Sequence, residues 1–202
     1  MRSKYILIVG ILMAGLLMTF SDSYAEKEKK MSDAITVIHS RKSVRNFTGQ
    51  AVSRDLLDKI VRAGMAAPSA VNMQPWSFIV VTYRQTLDTL NDGLPYAKML
   101  EKAGAAIIVC AIPEKAYDGL KEFAVIDSTL AGENILLAAE ALGLGAVWTA
   151  TYPYEDRMNV VRKVLGIPAN IIPLNVIPIG YPAGTDKPKN KYKPENVHWQ
   201  KW

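Results

Sequence analysis

Hydrophobic positions recur along this chain with different periods, and each period implies a different element. In "SRDLLDKIVRAGMAA" (Ser53–Ala67), Leu56, Leu57, Ile60 and Val61 fall on one helical face, Ser53 offers an N-cap and Pro68 supplies a stop. "DAITVIH" (33–39) and "YEDRMNVVRKVL" (154–165) also suit amphipathic helices, and "PYAKMLEKA" (95–103) a short one. By contrast, "WSFIVVT" (76–82) and "AAIIVCAI" (105–112) are continuous β-branched and apolar runs, as expected of strands, the second buried on both faces. "LGAVWTA" (144–150) and "IIPLNVIPIG" (171–180) continue the strand series, the prolines of the last implying an edge position or irregular pairing. Phe123–Leu142 is the longest helical signal, apolar or small nearly all round, and should run through a core. Asp127, Glu133, Asn134 and Glu140 argue against its crossing a membrane. Strands and helices mix without the regular alternation of a doubly wound sheet, and no repeat or linker divides them, so the pattern implies one α+β domain over residues 26–202.

The apolar run Tyr5–Phe20 is of another kind. Arg2 and Lys4 precede it, and small residues at Ser23 and Ala25 follow, the pattern of a secretory signal peptide over residues 1–25. The run is shorter than the ~20 residues that span a bilayer, which favours cleavage after Ala25 over an uncleaved membrane anchor. The expected location is therefore exported and periplasmic, with no stable membrane insertion once the leader is removed. The alternative is a protein held to the membrane by its leader.

Composition narrows the chemistry. Half of the 202 residues are hydrophobic and the net charge is +5, which suits an anionic ligand but does not choose among nucleic acid, lipid and a small molecule. A single cysteine, Cys110, excludes an intramolecular disulfide and sits where an inert core thiol is expected. Two isolated histidines, His39 and His198, are too few for a dedicated zinc site. A nucleophile elbow and a phosphate-binding Gly-Lys loop are both missing, and Gly143 and Gly145 are too little for a dinucleotide fingerprint.

What the chain does have is polar and basic. "SRKSVRNF" (40–47) and "KPKNKYK" (187–193) could converge on a phosphate, with arginine giving two-pronged contacts and lysine a point charge. "APSAVNMQPWSF" (67–78) contains no acid or base, but Asn72 and Gln74 carry the donors and acceptors that suit a heteroaromatic edge. Each segment also has a plainer reading as solvated surface or a structural turn, and the lysines could hold single-stranded nucleic acid. A protein of this kind would take its reactive group from a cofactor.

The order of "SRKSVRNF", "APSAVNMQPWSFIVV", "NILLAAEALGLGAVWTATYP", "IPIGYP" and "KNKYKPENVHW" resembles the nitroreductase family of FMN-dependent oxidoreductases, over roughly residues 33–199. The resemblance implies an α+β fold with a central mixed or antiparallel sheet flanked by helices. It also implies an intertwined homodimer with FMN at the interface. Arg41, Lys42, Ser43 and Arg45 would face the flavin's phosphate, ribityl chain and ring edge, with Lys189 and Lys191 completing the phosphate grip. Pro68, Ser69, Asn72 and Gln74 would reach in from the partner subunit, and backbone groups of Thr149, Ala150 and Thr151 would approach the ring. Lys191 stands where many relatives have arginine, and Thr151 where some have glycine.

The implied activity passes electrons from NADH or NADPH through the flavin to a nitroaromatic, quinone or similar small acceptor, with no obligatory catalytic side chain and no metal. A specialised flavoenzyme of the same fold, performing reductive dehalogenation, flavin cleavage or desaturation, is the first alternative. Arg84–Tyr96 and "PEKAYDGLKEF" (113–123) are its candidate lids. A non-enzymatic anion or nucleic-acid binder is the second; nucleic acid is not the expected partner.

Overall fold

The computed structural model describes residues 34–202, so the leader lies outside the described residues. Ile38–Trp202 forms one compact unit. Helix α1 (Ala34–Ser40) crosses its start.

At the centre is an antiparallel sheet. Strand β1 (Trp76–Val81) pairs with β2 (Ala105–Ala111), β2 with β5 (Ile172–Gly180), and two short strands, β3 (Gly145–Ala146) and β4 (Thr149–Ala150), lie along β5. Both β2 and β5 are buried along their whole length. Side chains of a strand alternate between faces, and β2 shows why no polar alternation marks it. Its odd members Ala105, Ile107 and Val109 pack with Leu57 and Ile60 of α2 (Arg54–Met65) and Ile135 and Ala139 of α4 (Lys121–Ala141). Its even members Ala106, Ile108 and Cys110 pack on the other face with Leu87 and Leu90 of α3 (Arg84–Gly93) and Val161 of α5 (Glu155–Leu165). Helices therefore cover both sides.

The caps follow local chemistry. Ser53 Oγ accepts from Leu56 N at 3.3 Å at the start of α2. Helix α5 opens with Glu155 and Asp156, closes with Arg162 and Lys163, and ends at Gly166, whose φ of +67° only glycine adopts freely. Although α4 is 21 residues long, no helix among the described residues is long and apolar enough to cross a membrane.

The structure settles one alternative the sequence leaves open and corrects three expectations. Strand β5 is central, so of the two readings of its prolines irregular pairing holds: beside Pro173 a bulge shifts the pairing from Val109–Asn175 to Cys110–Pro173. There the buried Asn175 accepts from Val109 N through Oδ1 at 3.3 Å. Arg84–Gly93 is a helix, with Leu87 and Leu90 in the core and Arg84 donating to the carbonyls of Leu100 and Ala103. The 95–103 segment contains only a 3₁₀ turn at Lys98–Glu101, and the 144–150 strand breaks between β3 and β4.

Val44 is one of the anchors that fix the basic segment 40–47 against the sheet. Val44 is fully buried, its N–H donates to Ala146 O at 3.0 Å, and a Cβ at Gly145 would stand 2.6 Å from its side chain. Gly145→Ala is expected to destabilise the fold by about 1–3 kcal/mol through overpacking. The check is a lower urea midpoint with an unchanged m-value; an unaltered midpoint would refute it.

Candidate cofactor site

Between Ser40 and Phe47 the chain is extended, and burial alternates with charge. Val44 and Phe47 face the core, while Arg45 is exposed and Arg41, Lys42 and Ser43 are half-buried. After β5 the chain returns beside this segment. Thr48 N donates to Tyr181 O at 3.0 Å, Ala183 N to Asn46 O at 2.9 Å, and Phe47 bridges to Pro182. Arg45 N then meets the Asp186 carboxylate at 3.4 Å, and Gly184 lies against Asn46. This zipper carries Lys187, Lys189 and Lys191 to the cationic segment from the far end of the sequence.

The result is a cavity of about 640 Å³ lined by Arg41, Lys42, Ser43, Arg45, Thr185, Asp186, Lys187, Pro188, Lys189 and Lys191. Its volume lies inside the ~300–1,000 Å³ typical of ligand sites. Two of the cations are already partnered. Lys42 Nζ contacts Glu140 Oε1 at 2.9 Å and Oε2 at 3.1 Å, and Arg41 Nε meets Glu133 Oε1 at 3.1 Å. Pattern reasoning missed both glutamates. Their sequence signal was a pair of acids seven residues apart on a helix that is largely apolar or small.

The structure places the remaining predicted residues elsewhere. Pro68, Ser69, Asn72 and Gln74 form an outward turn that does not line the cavity of its own chain. Val71, Asn72 and Gln74 all have positive φ, of 48°, 59° and 51°, and the valine is a strained case. Local hydrogen bonds hold the turn: Gln74 N to Ser69 Oγ at 2.9 Å, Gln74 Nε2 to Asn72 Oδ1 at 2.9 Å, and Ala70 N to Asp127 Oδ2 at 3.2 Å. Asp127, on α4, is buried. Thr149, Ala150 and Thr151 also lie outside the basic cavity, in a shallow depression with Tyr96 and Arg157. The hydroxyls of Thr149 and Thr151 donate to the carbonyls of Val176 and Pro173, and Thr151 N donates to Leu174 O at 3.2 Å. The Thr151 amide expected at the ring edge is thus engaged by β5.

Cys110 is buried, and desolvation pushes its thiol up to about 12 despite a hydrogen bond with Ser77. A thiol-specific reagent at pH 8 should leave the folded protein unlabelled and modify it once guanidinium exposes the strand. Labelling at the same rate in both states would contradict this.

Comparison with known proteins adds a second line. The nitroreductase family model matches residues 38–93 and 83–181. A protein of Methanothermobacter thermautotrophicus, provisionally named NADH dehydrogenase/NAD(P)H nitroreductase, is 43% identical, over 87% of this chain and 91% of its own. A crystal structure from Parabacteroides distasonis under the same provisional name is 47% identical, with a TM-score of 0.80, covering 85% of this chain and 99% of that one. A Desulfovibrio desulfuricans protein, provisionally a nitroreductase and solved in complex with FMN, is 28% identical with a TM-score of 0.72, covering 85% and 98% of the two chains. With this sheet, these helices and this arrangement of motifs, the chain belongs to the nitroreductase family.

Proposed function

We propose that this protein is an FMN-dependent oxidoreductase that accepts electrons from NADH or NADPH and delivers them to a small oxidised acceptor such as a nitroaromatic or quinone. The observation that carries this reading is the convergence of Arg45, Lys187, Lys189 and Lys191 with the Ser43 hydroxyl on one cavity. That donor set fits a phosphate and a polyol chain: guanidinium for paired oxygens, ammonium for charge, hydroxyl for a neutral contact. When bound, FMN would supply the hydride and electron chemistry, and the protein would supply binding and orientation. The relatives' names support the same chemistry, since one carries NAD(P)H nitroreductase in its name and another was solved with FMN.

In this reading Arg45, Lys189 and Lys191 neutralise the phosphate, and Ser43 donates to the polyol. Arg41 and Lys42, held by their glutamates, present cationic groups beside them. Asn72 and Gln74 read the ring from a second copy of the chain. Their turn does not line the cavity of its own chain, and its Val71 is 74% exposed. Ile126 and Leu130, one turn apart on α4, are also exposed, as is Trp199 near the chain end. Large apolar groups in such number suit burial by a second copy, and a two-fold axis would present each turn to the other's cavity.

The packed α3 removes one of the two candidate lids of the specialised alternatives, because a helix with its leucines in the core is no mobile lid. The leader pattern supports export to the periplasm, where FMN and the electron donor would have to be supplied.

Purified exported protein should be yellow, begin at Glu26 by mass spectrometry and sediment as a dimer. A colourless protein that stays so after incubation with FMN would sink the proposal, whereas an intact leader or a monomer would overturn export or dimerisation separately. Arg45→Ala, or Lys189→Ala with Lys191→Ala, should weaken FMN binding about 10–100-fold, the scale of a lost charged hydrogen bond of roughly 1.5–3 kcal/mol. Fluorescence titration at two salt concentrations provides the measurement; unchanged affinity in both variants would refute the phosphate assignment.

A further inference from the structure

Glu140 is a costly position for an acid on stability grounds alone. It lies in the last turn of α4, at the negative end of the helix dipole, and no basic residue occupies the turn. Its side chain is only 14% exposed, so it has also lost most of its water. Both conditions oppose a carboxylate. What compensates is Lys42, which contacts both carboxylate oxygens and is itself only 25% exposed. The neighbouring pair differs: Glu133, seven residues earlier on the same face, is 46% exposed and contacts Arg41 through a single oxygen at 3.1 Å. Solvent screens that pair far more.

The two ends of the Lys42–Glu140 pair also sit differently. Lys42 lines the basic cavity and Glu140 stands behind it, outside the lining. The contact through which the carboxylate acts on the cavity is the lysine, by fixing where its ammonium stands and by offsetting its charge.

We propose that Glu140 is a positioning residue of the cofactor site that sets the reduction equilibrium of the bound flavin through Lys42. This rests on the flavin reading of the cavity. A reduced flavin carries more negative charge than an oxidised one, so uncompensated positive charge nearby favours the reduced form. With Glu140 in place, Lys42 offers a located donor without a full net charge, and the flavin remains a stronger reductant than the crowd of lysines alone would allow. Arg45 and the late lysines keep their charge for the phosphate, while the cation on the paired wall is balanced.

The test is the midpoint potential of the flavin in holoprotein at saturating FMN, for wild type, Glu140→Gln, Lys42→Met and the double variant. Glu140→Gln should shift the two-electron equilibrium toward the reduced form by about tenfold, roughly 30 mV upward. Lys42→Met should shift it the opposite way by a similar factor, and the double variant should return close to wild type. Shifts of the same sign in both single variants would overturn the inference. So would an unshifted potential in Glu140→Gln accompanied by a lower melting temperature of the FMN-free protein, which would make the pair purely structural. A wild-type protein that takes up no FMN would instead bring down the flavin reading itself, and is seen before any variant is made.

Discussion

Like charges brought around one cavity repel, and this site exists because the backbone bearing them is fastened elsewhere. The fastening is apolar and amide chemistry at Val44 and Phe47. Val44 is sealed over Gly145 and bonded to Ala146, and Phe47 is bridged to Pro182. Each anchor alternates with a cation, so the sheet's own packing holds Lys42 and Arg45 at the cavity. The returning chain uses the same device in reverse, with Thr48 and Asn46 pairing to Tyr181 and Ala183 before the lysines begin. Packing free energy from the core thereby sustains an electrostatic arrangement that would not assemble by itself.

Helix α4 organises the rest. One of its faces carries Glu133 and Glu140 to the cationic segment; another carries Asp127 to the Ala70 amide and Asn134 to the Ala63 carbonyl of α2. Polar residues on a largely buried helix are costly unless paired, and here each holds a different part of the site or its support. Ile126 and Leu130 remain exposed on the same helix. A rigid element thus links the cation wall, the strained turn and the surface proposed to meet a second copy, which is the arrangement expected where loop-borne site residues must be held in place.

In the proposed function the chain by itself offers two incomplete half-sites: a basic cavity without the amides assigned to the ring, and a polar turn without a cavity. Their separation within one chain gives dimerisation a physical purpose in the proposed function. The engaged Thr151 amide refines the expected ring contacts, because any approach along β4 must use groups that β5 leaves open.

Local pattern determined a good deal. Two-sided burial was legible in the unbroken run of β2, the Ser53 cap in its spacing before Leu56, and the family in the order of its motifs. The physical reason is that periodicity records which side chains leave water and where a backbone must turn. Tertiary structure alone decided between the edge position and the irregular pairing that the prolines of β5 allow, making the strand central with a bulge bonded by Asn175. It decided that Arg84–Gly93 is a packed helix, because two leucines and a polar remainder acquire meaning only against the core they enter. It also paired Lys42 with a glutamate 98 positions away. A charge in sequence has a sign but no neighbour, and only the folded chain chooses which distant acid stands opposite it.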